Sequence, residues 1–221
     1  MLELQYLNKK QFYKLHKEIG VFNLTEYYKF IPQNLAGKNL LDIGCGVGKD
    51  LDYFQQLGAE IYGIDSNPTA VQHAQKRFSL YNNRIKVMCA SSLEYSDSSF
   101  NIVTCNYVLQ SIENIESVMQ EVARVLMCGG EFIFLATHPM RQYFEKKDST
   151  TNYFKQEIVD SVILNNMIVV QEPTHTMNDY LSDYLLDNFA IEKYIELHDP
   201  TAEKVEGRYY PGFFVIKAKK K

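Results

Sequence analysis

A doubly wound α/β domain built on a mostly parallel sheet is the fold class that the sequence predicts, and three observations predict it. From residue 38 onward short apolar runs alternate with stretches of helical periodicity, the pattern of a parallel sheet with helices on both faces. A glycine-rich turn, Gly44-Cys45-Gly46-Val47-Gly48, joins the first apolar run to the first helical stretch. No repeat, low-complexity tract or linker divides the chain.

The first strand is Asn39 to Ile43. Val47, Leu51, Phe54 and Leu57 then line one face of a helix, and Gly58 stands where such a helix stops. Glu60 to Ile64 is the second strand. It runs into Asp65-Ser66-Asn67-Pro68, where Pro68 suits the first helical position and Ser66 or Asn67 the cap. Ile85 to Cys89 reads as the third strand, and Phe100 to Cys105, after the turn-forming Ser96-Asp97-Ser98-Ser99, as the fourth. Ile115, Val118, Val122 and Val125 mark the next buried helix face. Gly129-Gly130 ends that helix and opens the fifth strand, Glu131 to Ala136. A polar and aromatic stretch from Thr137 to Phe154 interrupts the alternation. Two helical patterns follow, one through Phe154, Ile158 and Val162 and one through Tyr180, Tyr184 and Leu185. Phe189 to Leu197 and Gly212 to Ala218, with no helix between them, predict a C-terminal antiparallel hairpin. Residues 5 to 34, rich in Tyr and Phe, predict an N-terminal helical cap.

Composition narrows the function classes. Hydrophobic residues are 46% and charged residues 23% of 221, enough apolar content for a packed core. Twenty-three Lys and Arg against 27 Asp and Glu leave a net charge of −4, a poor footprint for a nucleic-acid binder. The lysines that end the chain, Lys217, Lys219, Lys220 and Lys221, read as a solvated run. No apolar run reaches 18 residues and the N-terminus has no signal-like pattern, so a cytoplasmic protein without membrane contact is expected. Cys45, Cys89, Cys105 and Cys128 form no C-x-x-C pair and are read as reduced thiols. No acidic or thiol cluster suggests a metal.

The glycine turn carries the chemistry. Glycines are needed where a backbone takes unusual φ or lets a ligand approach closely. The spacing here is G-x-G-x-G, not the G-x-G-x-x-G of dinucleotide sites, which disfavours a nicotinamide dehydrogenase. Asp65 ends the second strand, where a carboxylate can accept from both hydroxyls of a ribose; its bland reading is a helix cap. Turn and carboxylate together point to a nucleoside.

LLDIGCGVGKD with IYGID resembles the first two motifs of the class I S-adenosylmethionine-dependent methyltransferases of the type 11 group, on a Rossmann-like sheet. SSFNIVTCNYVLQSI and EVARVLMCGGEFIFLA stand where that family has its fourth strand and its helix, double glycine and fifth strand. The resemblance covers residues 38 to 137. It implies S-adenosyl-L-methionine as cofactor, with S-adenosyl-L-homocysteine as product. It places Gly44, Cys45 and Gly46 against the methionine half, Asp42 near its ammonium and Asp65 on the ribose with Ser66 beside it. Ala90 and Ser91 would meet the adenine edge; Asn106 and Tyr107 would line the methyl end. Two positions depart from the pattern: Cys89 stands where an adenine-binding Asp is common, and Cys128 where a proline precedes the double glycine. On this reading residues 1–221 form one domain, with 1–37 the cap, 38–137 the cofactor-binding half and 138–221 the substrate-facing segment and final strands.

Methyl transfer is an in-line displacement that needs orientation more than covalent help. A hydroxyl or ammonium acceptor also needs a base, and histidine has the natural pKa. His138 directly follows the fifth strand, and His175 precedes the last helix; each can equally be a histidine satisfying local backbone. His16, His73 and His198 read as surface positions. Arg141 and Tyr143 are candidate substrate contacts in the irregular stretch, against a solvated or packing role. Tyr13, Tyr27 and Tyr28 either close over the cofactor or pack. The expected activity is methyl transfer to O, N or C of a small molecule; a protein or RNA methyltransferase and a non-catalytic cofactor-binding subunit are the alternatives. The oligomeric state is not readable.

Overall fold

The computed structural model describes residues 21–145, 152–163, 168–198 and 205–221, so Tyr13, His16 and the rest of the expected cap before residue 21 lie outside the described residues. Nine strands are present among them: β1 (Asn39–Ile43), β2 (Glu60–Asp65), β3 (Ile85–Val87), β4 (Phe100–Asn106), β5 (Leu126–Thr137), β6 (Ile158–Ile163), β7 (Ile168–Pro173), β8 (Phe189–His198) and β9 (Pro211–Lys220). Seven form one sheet in the order β3-β2-β1-β4-β5-β9-β8. β1 to β5 run parallel. β9 lies antiparallel to both β5 and β8, giving the expected closing hairpin.

Neighbouring residues of the central strands enter different cores, as a sheet buried on both faces requires. Leu41, Ile43, Val103, Cys105, Phe132 and Phe134 pack on one face with Val118 and Val122 of α4 (Ile115–Val125). Leu40, Ile102, Ile133 and Leu135 pack on the other with Leu51 and Phe54 of α2 (Lys49–Gln56) and Val71 of α3 (Pro68–Arg77). Tyr27, at the end of α1 (Val21–Tyr28), joins this second core with Phe30 and Ile31. Caps set the helix starts: the Asn67 side chain accepts from the Thr69 and Ala70 amides with Pro68 in the first turn, and Asn114 accepts from Ser117. Three further short α-helices lie among the described residues, α5 (Pro139–Glu145), α6 (Met177–Tyr180) and α7 (Asp183–Asn188). No helix among the described residues is long and apolar enough to cross a membrane.

Four expectations are corrected. The helix expected through Phe154, Ile158 and Val162 is instead the antiparallel pair β6–β7, with Ile158 opposite Pro173 and Ile163 opposite Ile168. A spacing of four residues keeps one face in a strand as well as in a helix, and the β-branched Ile and Val of this segment favour the strand. β5 starts five residues before Glu131, directly from α4, with the double glycine forming a register shift against β4. β3 ends at Val87, short of Cys89. The terminal lysines are not a solvated run, because Lys217 sits on β9 with its ammonium 2.7 Å from Glu131 and Lys220 donates to the Leu126 carbonyl.

The turn after β1 packs directly on the loop after β4. Gly44 has φ +75°, and a Cβ there would overlap Cγ2 of Val108. Gly44→Ala therefore combines left-handed strain with overpacking and should lower stability by about 2–4 kcal/mol. Urea denaturation checks it; a change below about 0.5 kcal/mol would show that the loop yields freely.

Candidate active site

The strand order reverses between β1 and β4, and in open α/β sheets the crevice beyond the carboxyl ends of the strands at such a point takes the ligand. Four of the expected residues, Gly44, Cys45, Gly46 and Asp65, meet there. The amides of Gly44 and Cys45 donate to the Ile64 carbonyl at 2.8 and 2.9 Å, pinning the glycine turn to the end of β2. Asp65 Oδ2 accepts from the Gly46 amide at 2.9 Å, and Oδ1 from the Asn67 amide at 2.8 Å. These amides aim the carboxylate, and each oxygen retains a lone pair for a further donor. Gly46 has φ +53° and nothing within 4 Å of where a Cβ would stand, so its backbone is open to close approach. Cys45 is buried, with its thiol pushed up by burial and turned toward the Gly46 carbonyl, so the turn offers backbone there and not a nucleophile.

Below the turn lie two buried carboxylates, Asp42 at 2% and Asp50 at 8% exposure. Register places Asp42 opposite Thr104, whose hydroxyl donates to Asp42 Oδ1 at 2.8 Å. Asp50 comes from the first turn of α2. Its Oδ1 accepts from the Tyr28 hydroxyl at 2.6 Å and its Oδ2 from Asn106 Nδ2 at 2.8 Å. Burial, and then the charge of Asp50, push the Asp42 carboxyl well above the ordinary range, against the pull of Thr104. Asn106 Oδ1 and the Tyr27 hydroxyl are buried here without a hydrogen-bond partner among the described residues. Asp50 had no place in the sequence-based site, and Tyr28 was expected only to close over the cofactor or to pack. An acid in the first turn of a helix already has a reason to be there, its interaction with the helix dipole, and nothing local shows that a tyrosine 22 positions earlier reaches it.

Other expected residues sit around this centre. Cys89 and Ser91 are exposed beyond β3, their side chains 3.1 Å apart, and the Ser91 hydroxyl and amide lower the Cys89 thiol. Ala90 between them is half-buried, and Ser66 is exposed, the cap of α3 falling to Asn67. Tyr107 holds φ +56°, a costly conformation for a bulky side chain, fixed by its amide bond to the Leu135 carbonyl and by edge contact with Phe213 at 5.4 Å.

The two histidines belong to the opposite core. His138 Nδ1 accepts from the Met140 amide at 3.1 Å, which leaves its proton on Nε2, 3.3 Å from Glu196 Oε1. Both nitrogens are engaged. His175 is 3% exposed; its Nδ1 stands 3.9 Å from Asp179 and its Nε2 has no hydrogen-bond partner. Burial lowers the pKa of both, opposed by Glu196 at His138 and by Asp179 and the carbonyls of Gln110 and Ile112 at His175. The Phe214 ring contacts both His138 and Tyr180, and Tyr180 contacts His175. Gln142 ties the same region together, donating to the Pro173 carbonyl and accepting from the His175 amide.

A cavity of about 340 Å³ opens beside His175, bordered by Tyr153, Phe154, Thr174 and Thr176 with Glu113 and Asp179. Tyr143 reaches its edge through Tyr153, ring centroids 6.0 Å apart. Arg141 lies over the Phe213 ring at 5.0 Å, the ring that also supports Tyr107.

Comparison with known proteins gives this geometry a context. Residues 41–134 match the family profile described as a methyltransferase domain. The chain is 32% identical over 131 residues to thiol S-methyltransferase TMT1A of Homo sapiens, covering 57% of this chain and 51% of that protein. It is 31% identical over 107 residues to demethylmenaquinone methyltransferase of Tropheryma whipplei, covering 48% and 45%. The chain spans about half the length of these curated relatives. Among solved structures it is similar to an S-adenosylmethionine-dependent methyltransferase from Mesorhizobium loti, with TM-score 0.73 and 20% identity over 91% of this chain and 99% of that one. At that identity the likeness is one of fold.

The buried histidines set a pH dependence. Their folded pKa values lie below the unfolded value of about 6.5, so between those values the unfolded chain binds more protons. Stability should fall as pH drops through about 6.5 and level off below the folded values. Urea denaturation at several pH values should show a shallower acid loss in His138→Gln and His175→Gln than in the parent; identical slopes would contradict the assignment.

Proposed function

We propose, on the premise that residues 41–134 are the cofactor-binding half of a class I S-adenosylmethionine-dependent methyltransferase, that this chain methylates a small-molecule acceptor. One observation carries the reading. The ends of β1, β2 and β4 bring together an open glycine backbone, an aimed carboxylate and a buried acid pair with surplus acceptors. That set complements a nucleoside at one end and a cation at the other. It fits S-adenosylmethionine, and among the described residues no side chain stands over Gly46 to exclude it. When bound, this cofactor supplies a methyl group on a sulfonium for in-line displacement, leaving S-adenosylhomocysteine.

In this reading Asp65 takes the ribose hydroxyls and Gly44 to Gly46 accept the methionine half along their backbone. Asp42 faces the ammonium. Asn106 and the strained Tyr107 define the wall at the methyl end, while Ala90 and Ser91 flank the adenine, with Cys89 taking the place of a carboxylate. The thiol and demethylmenaquinone methyltransferases that the chain resembles are named for small acceptors, which supports the same class here. His175 is the better candidate base. Its neutral imidazole borders the cavity and has an unpartnered Nε2, whereas both nitrogens of His138 are already engaged. Tyr143, in contact with Tyr153 of the cavity wall, and Arg141, over the Phe213 ring that supports Tyr107, are candidate acceptor contacts.

Thermal denaturation with S-adenosylmethionine, S-adenosylhomocysteine and NADH in parallel tests the cofactor. The first two should raise the melting temperature and Asp65→Ala should abolish the rise; a rise with NADH alone would overturn the reading. Transfer of labelled methyl into a fractionated metabolite extract finds the acceptor. With an oxygen or nitrogen acceptor, His175→Ala should then lower kcat by roughly 10²-fold or more with cofactor affinity unchanged; full turnover in that variant would remove His175 as the base.

A further inference from the structure

The acid pair under α1 has more acceptors than donors. Asp42 receives the Thr104 hydroxyl, and Asp50 receives the Tyr28 hydroxyl and the Asn106 amide, all neutral groups. Two carboxylates more than nine-tenths buried are costly without positive charge. The neighbouring cation in the chain, Lys49, is half-buried, and burial lowers its pKa against the pull of Asp50. Asn106 Oδ1 remains as a buried acceptor without a partner. The Tyr27 side chain, fully buried, carries an unpartnered hydroxyl within electrostatic reach of both acids. A carboxylate would worsen this imbalance, and a neutral amide would bring donors but no charge. An ammonium, with three donors and a positive charge, corrects it.

Building on the cofactor reading above, we infer that Asp50 is a second anchor for the methionine ammonium and that Tyr28 is its positioning residue, making α1 the element that reads the amino-acid end of the cofactor. Tyr28 is suited to this. Its hydroxyl holds Asp50 Oδ1 at 2.6 Å while its ring lies 4.3 Å from that of Tyr53, one helical turn beyond Asp50 on α2. The carboxylate is thereby clamped between α1 and Asn106 of β4, the residue at the methyl end. Loading the ammonium and seating α1 become one event, and a ligand that lacks the amino-acid portion gains nothing from either.

Calorimetric titration with S-adenosylhomocysteine, decarboxylated S-adenosylmethionine and 5′-methylthioadenosine tests the assignment, because the first two carry the ammonium and the third does not. Asp50→Asn should weaken the first two by about 10- to 100-fold and change methylthioadenosine by less than twofold. Tyr28→Phe, which keeps the ring, should weaken the same two ligands by about three- to tenfold and spare the third. Equal weakening of all three ligands, or unchanged binding of the ammonium-bearing pair, overturns the inference. If Asp50→Asn does not fold by circular dichroism, Tyr28→Phe decides by the same comparison. If the parent protein binds none of the three, the cofactor reading itself fails, an outcome distinct from loss of discrimination in a variant.

Discussion

Asp42 and Asp50 sit side by side in a region where the sheet, α1 and α2 together exclude water, and much of the architecture around them serves to make that tolerable. Asp42 is at the end of β1, so its carboxylate meets the Thr104 hydroxyl one strand away. Asp50 is reached only because the turn after β1 reverses sharply enough to bring the start of α2 back over the sheet. Asn106 and Tyr28 then supply the two hydrogen bonds that hold it. Remove the parallel register of β1 with β4 and the donor to Asp42 is lost; remove α1 and one of the two donors to Asp50 is lost. Buried charge of one sign persists in a fold when something else compensates it, and the proposed ammonium contact rests on that requirement rather than on the glycine turn.

The sheet separates two kinds of polar cluster. On the face with Leu40 and Leu135 lie the acids, Thr104, Asn106 and the tyrosines of α1. On the face with Leu41 and Phe134 lie His138, His175, Tyr180 and Gln142, joined by ring contacts and amide hydrogen bonds. The first cluster is acidic and short of donors; the second is neutral, since burial keeps both imidazoles uncharged near pH 7. Tyr107 and Phe213 pack with the core of Leu40 and Leu135 at the carboxyl edge, and that contact helps to hold Tyr107 at positive φ.

The succession of the first five strands along the chain, the closing hairpin and the residues at the ends of β1, β2 and β4 were legible from sequence because each rests on a local signal. Gly44 to Gly48, Asp65 and Asn106 all fall directly after apolar runs. Asn67 and Pro68 announce the start of α3. The β6–β7 hairpin was not legible, since Phe154, Ile158 and Val162 satisfy the periods of helix and strand alike, and only pairing with Ile168 to Pro173 decides between them. Lys217 misled for a related reason: among four terminal lysines nothing local distinguishes the one whose strand position faces Glu131.

What the sequence by itself determined is the order of elements from β1 to β5, the closing hairpin and the chemical character of those strand ends, because hydrophobic period, glycine placement and capping residues act within a few positions of one another. The tertiary structure alone decided which polar groups share a space. Tyr28 and Asp50, or His175 and Gln142, are distant in the chain, and each is unremarkable in its own neighbourhood. Their meeting depends on how helices pack across the sheet, and a hydrogen bond of 2.6 Å tolerates less error than the few-residue uncertainty with which sequence patterns place an element boundary.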